Sequence, residues 1–255
     1  MSTTRTIERL YDLRLGPMAE AFASELERTG DPALSFAERF SLVVEQQWTA
    51  RESARLARRL KSAQLKISAS IEEVDFRAKR GLERDVLLDL AELSFLTAAG
   101  NVILTGATGL GKTYLACALA DRACRRGYSA LYKRVPTLVY ELALARADGS
   151  YLKAIGKLAR VDLLILDDWG LVTVEGQAAN DLMDVIDDRT GVRSTIVGSQ
   201  LPVSEWHHLV SDPSIADALL DRLVHRSVRI ELKGGSMRKE TARNAPKLTT
   251  KPITT

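Results

Sequence analysis

Aromatic residues make up only 5% of this 255-residue chain. A core with so few rings must rest on aliphatic packing, and the frequent Leu, Ala and Arg lean that packing toward helix. There are two cysteines, Cys117 and Cys124. They fall seven positions apart on one predicted helix, about 10 Å, which excludes a bridge between them; they read as small core residues. The three histidines, His207, His208 and His225, have no metal-ligand spacing with Cys or acids and read as surface or local structure. No apolar run is long enough to span a bilayer, and the opening MSTTRTIERL has no signal-peptide core. The expectation is a cytoplasmic protein without a membrane partner. Charge of one sign is also scarce: 36 Lys and Arg against 33 Asp and Glu leave +3. That total excludes nothing by itself, so the distribution of charge must decide.

The 45% hydrophobic content suits one large domain or two unequal ones. Residues 1 to about 70 read as helical. Leu15, Met18, Phe22 and Leu26 step along one helix face, Gly30, Asp31 and Pro32 make a turn, and Ser35 with Glu38 forms a capping box. That box opens a helix through Phe40, Val43, Val44 and Trp48. Further on, Arg51, Arg55, Arg58, Arg59 and Lys66 fall within roughly a 100° arc, opposite Leu56, Leu60, Ala63 and Ile67. This basic stripe suits a solvated face or a phosphate-binding one. Strands are expected at 101–105, 129–133, 161–166, 194–198 and 227–232, separated by helical stretches. Such alternation predicts an α/β domain, a five-stranded parallel sheet covered by helices. The expected organisation is a small helical N-terminal domain over 1–68, the α/β domain over 69–240 and a basic, partly disordered tail over 241–255.

The segment GATGLGKT fits G-x-x-x-x-G-K-[ST] between a predicted strand and a predicted helix. Gly106, Gly109 and Gly111 let the backbone curl so that its N–H groups face phosphates, and the helix N-terminus adds partial positive charge. Ala107, Thr108, Leu110 and the following Tyr114 complete the expected cradle. Lys112 is expected at the β- and γ-phosphates, and the Thr113 hydroxyl at Mg2+. The segment VDLLILDDWG ends a buried strand in Asp167, the expected Mg2+ partner, and Asp168, placed to polarise a water. An acid beside the metal acid suits hydrolysis better than phosphoryl transfer to a small acceptor. Ser199 and Gln200 follow the fourth strand, and Gln200 is the favoured candidate for holding the water. Arg222 and Arg226 precede the last strand, where a finger could reach the γ-phosphate of a neighbouring subunit; a surface salt bridge has the same spacing.

Taken together, GATGLGKTYLACALADRACRRGY, RVPTLVYELALARADGSY, LARVDLLILDDWG, GSQLPVSEWH and ALLDRLVHR with KGGSMRK resemble the IstB-like family, as do LYDLRLGPMAEAF and IEEVDFRAKRGL. The resemblance spans about residues 7 to 243. It implies an AAA+ ATPase similar to DnaC-type helicase loaders and, more distantly, to DnaA initiators. Such proteins act beside a DDE-type transposase in an insertion sequence, and ATP promotes homo-oligomers that hold duplex DNA. By the same resemblance Gly106 to Thr113 is the Walker A loop and Asp167 the Walker B acid. Asp168 stands where most AAA+ proteins have Glu. Gln200 matches sensor 1, Arg222 the arginine finger with Arg226 second, and Arg238 a sensor 2-like contact. The basic residues then become candidate DNA contacts: Arg51, Arg55, Arg58 and Arg59 in one patch, Lys133, Arg134, Lys153, Lys157 and Arg160 in another. Neither carries a base-reading pattern, so backbone contacts with little sequence specificity are expected. A helicase loader and a non-assembling P-loop kinase are the competing expectations.

Overall fold

A computed structural model describes residues 2–27, 34–77, 80–235 and 237. The expected turn at Gly30, Asp31 and Pro32, the tail over 241–255 and Arg238 lie outside the described residues. The chain divides into two compact units, Met1–Arg58 and Arg59–Thr255.

In the first unit, α1 (Thr3–Asp12) and α2 (Gly16–Glu27) pack on each other, and α3 (Phe36–Ala63) begins beyond them. The capping box at the start of α3 forms: the Ser35 N–H donates to Glu38 Oε2 at 2.7 Å, and the Glu38 N–H returns to Ser35 Oγ at 3.4 Å. One expectation is corrected here. Leu15 precedes α2 rather than lying on it, because its N–H closes α1 on the Leu10 carbonyl at 2.8 Å. Phe40, Val44 and Trp48 are exposed, whereas Val43 and Gln47 are buried. Gln47 tolerates burial because its Oε1 accepts from the Met18 N–H at 3.3 Å. A second correction concerns the end of α3. The helix stops at Ala63, and Gln64 turns left-handed at φ 51, so Lys66 and Ile67 leave the predicted wheel.

The second unit holds a parallel sheet of order β2-β3-β4-β1-β5. The strands are β1 (Asn101–Thr105), β2 (Ala130–Arg134), β3 (Leu163–Trp169), β4 (Ser194–Ser199) and β5 (Ser227–Glu231). The observed β3 runs three residues beyond the predicted end and takes in both aspartates. Helices fill the connections: α4 (Arg84–Ala91) and the short α5 (Ser94–Thr97) before β1, α6 (Lys112–Arg125) after it, α7 (Val135–Ala147) and α8 (Tyr151–Arg160) between β2 and β3, α9 (Gln177–Asp187) and α10 (Pro213–Val224) around β4. Gly127, at φ 98, ends α6: its N–H returns to the Cys124 carbonyl and the Tyr128 N–H to that of Ala123.

One face of the sheet, through Ile103, Leu131, Leu164, Leu166 and Val197, packs on α7, α8, α9 and α10. The alternate residues Val102, Leu104, Leu163, Ile165 and Ile196 are equally buried and point the other way. There α6 packs against β1 to β4. It carries both cysteines, buried and unbridged, and burial pushes the Cys124 thiol up to about 11.

The start of the sheet is fastened by Arg189, which is 1% exposed. Its guanidinium donates to the Leu158 carbonyl at 2.6 Å, the Val161 carbonyl at 2.8 Å, Thr195 Oγ1 at 3.1 Å and the Ser194 carbonyl. One side chain therefore satisfies backbone groups at the end of α8, the approach to β3 and the start of β4. Arg189→Met keeps the length but strands these acceptors. Urea unfolding should show a loss of about 3–5 kcal/mol; a loss below about 1 kcal/mol would mean water replaces the side chain.

Candidate functional site

Beyond β1 the chain curls through the glycine-rich loop. Gly106 adopts φ 134, and a side chain there would run into the Leu232 carbonyl. Outward-facing donors take the next carbonyls: the Met237 N–H bonds Gly109 O at 2.9 Å, Arg80 Nη1 bonds Leu110 O at 3.2 Å, and the Leu115 N–H bonds Gly111 O at 2.9 Å. In a trans peptide the N–H points opposite to the carbonyl. The N–H groups of Leu110, Gly111 and Lys112 therefore face away from those donors, the arrangement that receives an oxyanion at a helix start. Lys112 is 8% exposed, and its Nζ donates to the carbonyls of Gly106 at 2.5 Å and Ala107 at 3.0 Å.

The acid pair approaches from β3. Asp167 is 2% exposed, and its Oδ2 accepts from Thr113 Oγ1 and from the Tyr132 hydroxyl, each at 2.7 Å. Its Oδ1 accepts from the Asp168 N–H at 3.0 Å. Burial, then the bond to Asp167, raises the pKa of the Tyr132 phenol, so it remains a donor. The Thr113 hydroxyl beside a carboxylate oxygen is the hard-oxygen pair that suits Mg2+. Among the described residues no three His, Cys, Asp or Glu side chains gather into a fuller metal cage.

Strand β4 lies between β1 and β3, so Thr113 meets Asp167 across it. Gly198 makes the crossing possible: a Cβ there would sit 2.5 Å from Asp167 Oδ1. Next to it, β3 slips register between Leu166 and Trp169, and Asp168 adopts φ 59. Aspartate tolerates this left-handed conformation better than most residues. Asp168 Oδ2 is held by Arg134 Nε at 2.5 Å.

Gln200 joins the site, its Oε1 accepting from Thr108 Oγ1 at 2.7 Å. Ser199 does not, because its hydroxyl is used on the Trp169 carbonyl at 2.7 Å. The Tyr114 hydroxyl turns to the Ser70 carbonyl at 3.4 Å and Glu73 at 3.2 Å. Arg222 and Arg226 lie elsewhere, beside the start of β1. Asn101 Nδ2 donates to the Arg222 carbonyl at 3.1 Å, and the Asn101 N–H to the Arg226 carbonyl at 2.8 Å. The Arg222 side chain pairs with Asp187 at 2.6 Å.

The basic candidates differ in how committed they are. Lys133 pairs with Glu141 at 2.6 Å, Arg55 with Glu52 at 2.5 Å, and Arg59 Nε donates to the Cys124 carbonyl at 2.8 Å. Arg51, Arg58, Lys153, Lys157 and Arg160 are exposed and form no ion pair among the described residues. Sequence reasoning missed Tyr132, Gly198 and Arg80. A tyrosine in a strand and a lone glycine at a strand end carry no signal until the strand order is known, and Arg80 stands in a charged connector where nothing marks it as buried.

The profile of the family described as IstB-like ATP binding protein matches residues 8–245. The insertion sequence ATP-binding protein y4pL of Sinorhizobium fredii is 45% identical over 240 residues, 94% of this chain and 98% of that protein. The ATP-binding protein of insertion sequence IS1162 from Pseudomonas fluorescens is 46% identical over 205 residues, covering 80% and 89%. Among solved structures, DnaI aligns with a TM-score of 0.58 at 24% identity, over 70% of this chain and 98% of that one. AMPPCP-bound DnaA from Aquifex aeolicus aligns with a TM-score of 0.58 at 18% identity, over 74% and 58%. Both are likenesses of fold: a five-stranded parallel AAA+ P-loop sheet flanked by helices.

The space at Gly198 is testable without any ligand. Gly198→Ala should cost about 1–3 kcal/mol in urea unfolding. In an Asp167→Ala background the same methyl should cost almost nothing, a coupling of at least about 1 kcal/mol; additive losses would show that the two positions do not compete for space.

Proposed function

The chain belongs to the IstB-like ATP binding protein family, and from that premise we propose that it is an ATP-hydrolysing AAA+ regulator of transposition. In this reading ATP promotes homo-oligomers on duplex DNA, and a DDE-type transposase encoded alongside is the partner. The observation that carries it is the meeting of Lys112, Thr113, Asp167, Asp168 and Gln200 at one end of the sheet. The 45% identity to an insertion sequence ATP-binding protein supports the biological setting.

The roles follow from position. The amides of Leu110, Gly111 and Lys112 receive phosphate oxygens, and Lys112 exchanges its loop carbonyls for the β- and γ-phosphates. Thr113 and Asp167 would hold Mg2+, whose charge offsets that building on the phosphates. Asp168 orients and polarises the attacking water, and Gln200 fixes the water from the β4 side. Phosphoryl transfer needs mainly positioning and charge, and these groups supply both. Arg222 lies at the opposite end of the sheet from the loop. Its contribution to hydrolysis is therefore made in trans, to the site of a neighbouring subunit. The exposed Lys153, Lys157 and Arg160 along α8 are the leading DNA contacts, through the phosphate backbone.

Two measurements bear on this reading. Asp168→Asn should bind ATP within about threefold of the unmodified chain and hydrolyse it at least ~100-fold more slowly; undiminished turnover would remove Asp168 from the reaction. Replacing Lys153, Lys157 and Arg160 together by Ala should lower the salt slope of duplex binding, followed by fluorescence anisotropy, by about 2–3. An unchanged slope would move the DNA path off α8.

A further inference from the structure

Arg80 is a buried cation bonded to the phosphate loop from outside it, and neither the motif nor the roles above use it. It is 5% exposed. Nη1 donates to the Leu110 carbonyl at 3.2 Å and Nη2 to the Asp75 carbonyl at 3.1 Å. Its Nε is buried with no hydrogen-bond partner, and the Asp75 carboxylate acts on it through space, without a direct ion pair among the described residues. Its own carbonyl accepts the Lys233 N–H at 2.8 Å, which ties the connector to the exit of β5. A Cβ on Gly111 would sit 2.7 Å from Nη1. The third loop glycine is therefore needed for the guanidinium as well as for its φ of 96.

We infer that Arg80 is a positioning residue for phosphate binding, holding the Leu110–Gly111 peptide so that the Gly111 N–H is presented to the polyphosphate of a nucleotide. The trans peptide carries the effect. A cation on the Leu110 carbonyl fixes the plane of the unit and polarises its N–H, which points the opposite way. The buried guanidinium also places positive charge behind the loop, and a phosphate in front of the loop is an anion that uses it. The contact to Asp75 makes the brace two-pointed, which the single ammonium of lysine cannot reproduce. This inference rests on the nucleotide reading of the loop. It adds that the connector, outside the motif, sets the strength of the cradle.

The test is equilibrium binding by the full chain, with inorganic tripolyphosphate displacing a fluorescent ATP analogue and folding checked by circular dichroism. Arg80→Met should weaken ATP, ADP and tripolyphosphate alike, by about tenfold or more, and keep the ratio of ATP to tripolyphosphate affinity unchanged. A purely structural brace would lower the melting temperature and leave the affinity of the folded fraction alone. Arg80→Lys should lie between, about fivefold weaker than Arg80. Arg80→Met binding tripolyphosphate within about twofold of the unmodified chain would overturn the inference, as would a loss seen for ATP and not for tripolyphosphate. If Arg80→Met does not fold, Arg80→Lys decides alone, and affinity within about twofold of the unmodified chain overturns it. Failure of the unmodified chain to bind ATP would instead overturn the nucleotide reading.

Discussion

Thr113 at the start of α6 and Asp167 on β3 meet, hydroxyl to carboxylate, at 2.7 Å beside the end of β4. That contact joins the phosphate loop to the acid strand, and it depends on an absence, the side chain missing at Gly198. The strand order dictates the rest. Since β4 lies between β1 and β3, its end delivers Gln200 to Thr108, and β2 on the far side of β3 delivers Tyr132 to Asp167 and Arg134 to Asp168. The ends of β4 and β2 thus add polar contacts on either side of the acid strand.

The two ends of the sheet are fastened by opposite chemistry. At the strand starts a buried arginine is satisfied by backbone carbonyls. At the strand ends a buried carboxylate is satisfied by two hydroxyls and an amide. Neutral acceptors around Arg189 make a fixed joint, because nothing about them titrates or exchanges. Hydroxyls around Asp167 make a softer one, since a neutral hydroxyl can rotate to another acceptor. Arg134 adds a competition at the same end. Its guanidinium is occupied by Asp168, so the residue that the sequence offered to DNA is engaged with an acid of the candidate site.

Local patterns were legible where they are chemically self-contained. The phosphate loop, the capping box of Ser35 and Glu38, the alternation that predicts a parallel sheet and the position of the acid pair all follow from residues close in sequence. Patterns that need a partner from elsewhere were not. The sequence places Phe40, Val44 and Trp48 on one helix but does not show that they are exposed while Gln47 is buried, its bond supplied by Met18. The basic stripe read as uniform, yet Arg59 is used on a carbonyl of α6 while Arg51 and Arg58 stay exposed. Arg80 and Gly198 were invisible for the same reason, because each is defined by an atom more than 29 residues away.

Gly198 has one more consequence, for how copies of such a gene are judged. A duplicated copy with alanine at that position would still display GATGLGKT and the paired aspartates. Any search for those signatures would count it as intact. Asp167 would nevertheless have been pushed from its seat by one methyl group. The difference between a working copy and a relic can rest on a hydrogen atom that no motif contains.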